Sequence, residues 1–306
     1  MKRQLPRGQR LKGYAAVLAS ALCFGSYGVW SKLLGNDFGI YSQGWVRSAI
    51  ILIILIPLGL WTKSFRRVDR QDWRLFIPTI VFTIFTIAPI FYAFNYLSIG
   101  TATLIFYSLF LLTTYVIGWT VMGERMTVIK LIAFGLALIG MFITFGISLA
   151  IFSALALFLA AFNGVASGGE VAFSKLVTEK YSTIQVTTLS WASILVTHLI
   201  MALVTHESVT PVAFNQAWLG MLAFSVVALA GFWLVIEGFK YIDASVGGLI
   251  GLTEIIFSIG FGLVVFHQPV TLSIVIGGAF ILSAGVLPDL AGIFRRDKPA
   301  PLPSPL

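Results

Sequence analysis

Long apolar stretches, each closed by a short polar one, recur along almost the whole chain. Ten such runs can be read, at approximately residues 13 to 34, 40 to 62, 75 to 97, 100 to 122, 128 to 146, 151 to 175, 184 to 205, 217 to 239, 244 to 266 and 272 to 292. Each is close to the about 20 residues that an α-helix needs to cross the hydrocarbon of a bilayer. None shows the strict alternation of a barrel strand, and lipid offers no partner to exposed backbone, so the pattern predicts an all-α membrane protein of ten spanning helices. The first run follows a basic head, as the apolar part of a signal peptide does. It continues well past the small residues around Ala21, which predicts a retained helix.

Composition agrees with this and charge orients it. With 58% hydrophobic residues, 10% charged ones and a mean hydropathy of +0.96, the chain is far from a soluble domain, in which about a quarter of residues are charged. Of its 20 lysines and arginines, all but Lys32 and Arg47 lie in the N-terminal head, beside the loops after even-numbered spans, or in the tail. The opposite loops "GNDFGI", "SIGT", "GISL", "HESVTPVAFNQ" and "HQP" hold none. The positive-inside rule therefore places both termini in the cytoplasm, as for a multi-pass protein of a bacterial-type inner membrane. The net charge of +8 is topological, and no nucleic-acid partner is expected.

Several chemistries are excluded at this stage. Cys23 is the sole cysteine, which rules out an internal disulfide and a cysteine-cluster metal site. His198, His206 and His267 are too scattered to form a metal motif, and no Gly-x-x-x-x-Gly-Lys-Ser/Thr loop is present to hold ATP. Neither a catalytic group nor a metal or cofactor is predicted, so the chain is not expected to be an enzyme.

An internal repeat emerges once the spans are numbered. "VWSKLL" at residues 29 to 34 returns as "AFSKLV" at 172 to 177, and Trp73 and Tyr96 around span 3 return as Trp218 and Tyr241 around span 8. "VMGERMT" after span 4 matches "VFHQPVT" after span 9. These matches predict two five-helix units, residues 1–146 and 147–292, followed by a cytoplasmic tail at 293–306. Five is odd, so the second unit lies inverted relative to the first. The loop after span 2 accordingly carries five basic residues and its counterpart after span 7 none. Inverted repeats meeting about an axis in the membrane plane are an architecture of alternating-access transporters.

The stretches "GERMTVIKLIAFGLALIGMFIT" and "TEIIFSIGFGLVVFHQPVTLSIVIGGAFILSAGV" resemble the EamA domains of the drug/metabolite transporter superfamily, in which a helix closing in Gly-Glu-x-x-Thr precedes a Gly-rich helix, twice per chain. Glu124 keeps the family glutamate, whereas Gln268 replaces it in the second copy. Ile255 stands where the family has a proline that would bend span 9. Within the superfamily the chain looks most like the YddG-type exporters of aromatic amino acids. The resemblance implies a basket of ten helices, with spans 1, 3, 4, 6, 8 and 9 around a central cavity and spans 5 and 10 outside it.

Ionisable groups inside spans are costly and mark candidate substrate contacts. Glu254 falls near the middle of span 9, while Glu170 and Glu237 lie nearer the cytoplasmic ends of spans 6 and 8. Each carboxylate suits a substrate ammonium or a proton, or else a structural hydrogen bond. Arg47, seven residues into span 2, is about 10 Å from the helix end and is expected to snorkel outward, with binding of a substrate carboxylate as the alternative. Tyr27, Trp30, Tyr92, Tyr96, Tyr107 and Trp233 are aromatic candidates for stacking on an aromatic side chain or an ammonium. Asn163 stands beside the glycine cluster "NGVASGG", whose Gly164 and Gly168 have the spacing of a close helix contact. Together these features predict an exporter of amino acids, including aromatic ones, working by alternating access in the lipid bilayer. A transporter of another metabolite or a drug cation shares the architecture. A multi-span membrane enzyme or sensor is the alternative of a different class.

Overall fold

The computed structural model describes residues 7–34, 37–96, 99–145, 153–207, 211–267 and 271–296. Gln268 and the end of the tail, from residue 297, lie outside the described residues. The chain is helical throughout its ordered elements, in the sequence α1 (Arg7–Gly25), α2 (Tyr27–Leu34), α3 (Ile40–Trp61), α4 (Trp73–Thr83), α5 (Ala88–Tyr96), α6 (Ile99–Thr120), α7 (Val128–Phe145), α8 (Ala154–Val177), α9 (Thr183–Val204), α10 (Gln216–Phe239), α11 (Ala244–Gly251), α12 (Thr253–Phe266) and α13 (Leu272–Arg296). Among the described residues, six stretches are long and apolar enough by themselves to cross a membrane: Ile40–Trp61, Trp73–Ala93, Ala154–Val177, Thr183–Val204, Gln216–Phe239 and Ala244–Val265.

Three runs that the sequence presents as continuous are broken. The first divides at Ser26, the third between Thr83 and Ala88, and the ninth at Leu252. Span 9 therefore breaks even though Ile255 replaces the family proline. A common device operates at all three places, because a hydroxyl at or beside the break donates to the carbonyl three residues earlier. Ser26 bonds Cys23 at 2.6 Å, Thr86 bonds Thr83 at 2.8 Å and Thr253 bonds Ile250 at 2.7 Å. Such back-bonding competes with the helical ladder, and in lipid it satisfies a backbone group that water cannot reach.

In the third run proline adds to the effect. Pro89 lacks an N–H, so the carbonyl of Phe85, four residues earlier, loses its helical donor. Asn163 of α8 replaces that donor, its amide Nδ2 lying 2.9 Å from the Phe85 oxygen. An interrupted helix is thereby tied to a continuous one.

Helices before residue 146 interleave with those after 153. The most extensive pairs are α7 with α13, α6 with α8, α3 with α9 and α1 with α10, followed by α4 with α8 and α1 with α12. Shifting each helix by half the chain maps this set onto itself: α1 against α10 and α12 becomes α8 against α4 and α6. Glycines repeat the correspondence in detail. A side chain on Gly25 would meet the Glu254 carbonyl at 3.0 Å, and one on Gly168 the Phe110 carbonyl at 2.7 Å. These glycines are 143 residues apart and their partners 144, and at both only a hydrogen fits.

Charged groups gather at one end of the bundle. Lys180 reaches Asp72 at 2.6 Å, the Tyr181 hydroxyl donates to the same carboxylate at 2.9 Å, and Lys240 lies 2.7 Å from Glu237. At the other end Glu207 accepts from the backbone of Tyr41 at 3.1 Å and Ser42 at 2.7 Å, capping the exposed amides that open α3.

Candidate functional site

The three broken spans bring polar groups into the interior. Tyr27 opens α2 directly after the break at Ser26, and its ring meets Phe24 and Phe224 edge-on, with centroids 5.2 and 4.8 Å away. Arg47, Glu170 and Glu254 all lie within electrostatic reach of its hydroxyl. Four elements that are remote in sequence therefore converge on one tyrosine.

Glu254 stands in the first turn of α12, where the break exposes backbone amides and favours an anion. It has no ion-pair partner among the described residues. Its polar neighbour is Tyr107 of α6, a buried tyrosine whose hydroxyl lies beside the carboxyl without closing a hydrogen bond. Glu170 is more deeply set, at 4% exposure. It accepts a 2.5 Å hydrogen bond from Thr83, at the edge of the broken third span, and Ser190 lies against the same threonine at 3.4 Å.

The remaining sequence candidates divide. Trp30 is half-buried and donates to Ser26 at 3.1 Å, so it braces the break beside Tyr27. Trp233 packs against the main core from α10. Tyr92 and Tyr96 sit ring to ring at 4.9 Å on α5, with Tyr96 exposed. Asn163 is committed to the Phe85 carbonyl. Glu237 belongs to the charged end, where Lys240, Thr183 and Tyr241 donate to it.

Arg47 does not snorkel. It is 1% exposed, its guanidinium carbon 4.4 Å from the centre of the Phe224 ring, 5.5 Å from Trp191 and 5.7 Å from Tyr27. Distance along α3 was a poor guide, because α9 and α10 flank that helix and close the way out. Trp191 did not stand out in the sequence. The usable signal was the charge itself, since a cation within a span needs neighbours that tolerate it.

Glu124, the glutamate of the family motif, lies outside this centre and is fully engaged. It accepts from the backbone of Ala244 at 2.6 Å and from the Ser245 hydroxyl at 2.8 Å, capping α11. Lys130 and Lys175 each lie 3.5 Å from it, and Lys130 also reaches Asp243 at 2.8 Å. Lys175 in addition donates to the Ile242 carbonyl. It is thus anchored in a network.

An all-helical apolar bundle with interrupted spans and charges at its centre has the make-up of a membrane transport protein. The model of the EamA-like transporter family matches the chain twice, over residues 11–146 and 154–287. The chain belongs to the EamA-like transporter family. An uncharacterized transporter from Archaeoglobus fulgidus is 29% identical over 289 residues, which cover 90% of this chain and 95% of that protein. A protein of known crystal structure superposes with a TM-score of 0.78 at 18% identity, over 93% of this chain and 98% of its own, a likeness of fold alone.

Proposed function

We propose that this transporter exports amino acids, including aromatic ones, by alternating access across an inner membrane, with both termini in the cytoplasm. Two inverted five-helix repeats rock against each other about the interior where Tyr27, Glu170 and Glu254 meet. The double family match and the self-mapping helix pairs support the repeat. The basic residues gathered at one end support the orientation.

The observation that carries the substrate class is Glu254: a carboxylate drawn into the bundle, at a helix break, beside tyrosines and without a cation among the described residues. Such a group is costly to keep, and a substrate ammonium supplies what it lacks. A drug cation would satisfy the same carboxylate, which makes it the second reading.

Counterflow in proteoliposomes, screened over amino acids, quaternary cations and nucleotide sugars, separates these outcomes. Phenylalanine is expected to exchange. Glu254→Gln, which keeps size and removes charge, is expected to lower phenylalanine exchange about tenfold or more at unchanged thermal stability, since charge-assisted bonds are about twice as strong as neutral ones. Exchange within twofold of the parent from about pH 5 to 8 would show that the carboxyl is structural. Exchange of quaternary cations alone would favour the second reading, and a chain that moves nothing would remove both.

A further inference from the structure

Arg47 is buried with donors that no partner meets. Nε and Nη1 of the guanidinium make no hydrogen bond, and neither does Nε1 of Trp191, whose ring lies against it. Both side chains are donors only and can accept nothing. Deep within the bundle, with no carboxylate paired to Arg47 among the described residues, the missing complement is an acceptor that carries negative charge.

We infer that Arg47, with the indole N–H of Trp191, is the carboxylate subsite of the transported molecule. The inference rests on the amino-acid reading above and specifies how the substrate is held. A guanidinium presents parallel N–H groups in a fixed fork that matches the two oxygens of a carboxylate. The two acids near Tyr27 set the charge type, because a phosphate would bring further negative charge towards them, whereas an α-amino acid brings an ammonium.

The repeat gives this polarity a structural origin. Shifted by the 143 residues that separate Gly25 from Gly168, Tyr27 falls on Glu170 and Arg47 on Ser190. The first half contributes the cation where the second has Ser190, and the second contributes a carboxylate where the first has Tyr27. Phe224 and Tyr27, which cover the guanidinium here, supply the apolar walls for a side chain. Access to the fork opens when α3 separates from α9 and α10.

Competition by phenylalanine and by its amide tests the subsite. In the parent protein the amide, which keeps the ammonium and the ring but lacks the carboxylate, is expected to compete at least tenfold more weakly. In Arg47→Met that difference is expected to fall within twofold, through loss of phenylalanine affinity at unchanged affinity for the amide. Trp191→Phe keeps an aromatic ring but removes the N–H, along with part of the ring volume, so it is expected to weaken phenylalanine several-fold and spare the amide; this second variant decides the matter if Arg47→Met does not reconstitute. A parent that exchanges no amino acid overturns this subsite together with the amino-acid reading. A parent that exchanges phenylalanine but accepts the amide within twofold overturns the subsite alone, as does a variant that weakens both ligands equally.

Discussion

Glu124 and Glu254 are both carboxylates drawn into the helical bundle, and the chain around them treats them in opposite ways. Glu124 caps a helix, accepts a hydroxyl and stands between two lysines. Glu254 has a tyrosine beside it and no cation among the described residues. Removing a charge from water costs several kcal/mol, which a full set of partners offsets and a bare site does not. The first arrangement therefore reads as architecture, fixing how α6, α8 and α11 meet at one end. The second leaves an unmet requirement in the interior, which is what a ligand needs in order to bind.

The largest effect should come from breaking the satisfied site. Glu124→Gln leaves Lys130 and Lys175 mostly buried beside a neutral amide and should cost about 3 to 5 kcal/mol of stability. Thermal unfolding of the purified variant checks this, and a melting temperature equal to the parent's would erase the distinction between the two carboxylates. The contrast with Glu254→Gln, expected to leave stability unchanged while reducing exchange, is the sharper form of the test.

An intermediate effect should follow from the broken third span, where a neutral polar group is likewise fully used. Asn163→Leu leaves the Phe85 carbonyl without a donor and should cost about 1 to 3 kcal/mol. In a Pro89→Ala background the helix regains its own N–H, so the same substitution should cost less than half as much. Equal costs in the two backgrounds would separate Asn163 from the proline and return it to the list of free cavity residues.

The smallest effect concerns the charged end. Hydrogen bonds from Lys180, first, and from Tyr181 hold the Asp72 carboxyl below its ordinary value of 3.8. A depressed carboxylate stabilises the fold fully above that value and stops doing so as pH falls through its folded pKa. The melting-temperature difference between parent and Asp72→Asn should thus be constant from about pH 7 to 5 and close below pH 3.8. A difference that persists in strong acid would show that the ion pair is not its source.

Much of this could be read from the residues. Apolar run length located the helices, and the rarity of charge within spans drew attention to Glu254 and Glu170. Other features needed three dimensions. The breaks at Ser26 and Leu252 lie in unbroken apolar text without proline, and the hydroxyl that makes each one is common in ordinary helices. Asn163 was visible as a polar residue, but its task depends on Pro89 in another span. For Arg47, position along α3 gives the depth but not the burial, which the neighbours of that helix decide. Trp191 has an unremarkable sequence context, and only its position against Arg47 gives it a role.

The interleaving of the two halves also bears on biosynthesis. Every extensive pair joins a helix made early to one made late. While the ribosome is still producing the first five spans, the seam on Gly25 has no opposing helix and Arg47 has neither Trp191 nor Phe224 to shield it. The leading half must wait in the bilayer, its polar groups uncovered, until the trailing half arrives. Assembly is thus governed by contacts of high sequence separation, the slow kind. A chain truncated at its midpoint has lost the partners of its finished helices along with the second half, and it should be a substrate for membrane quality control.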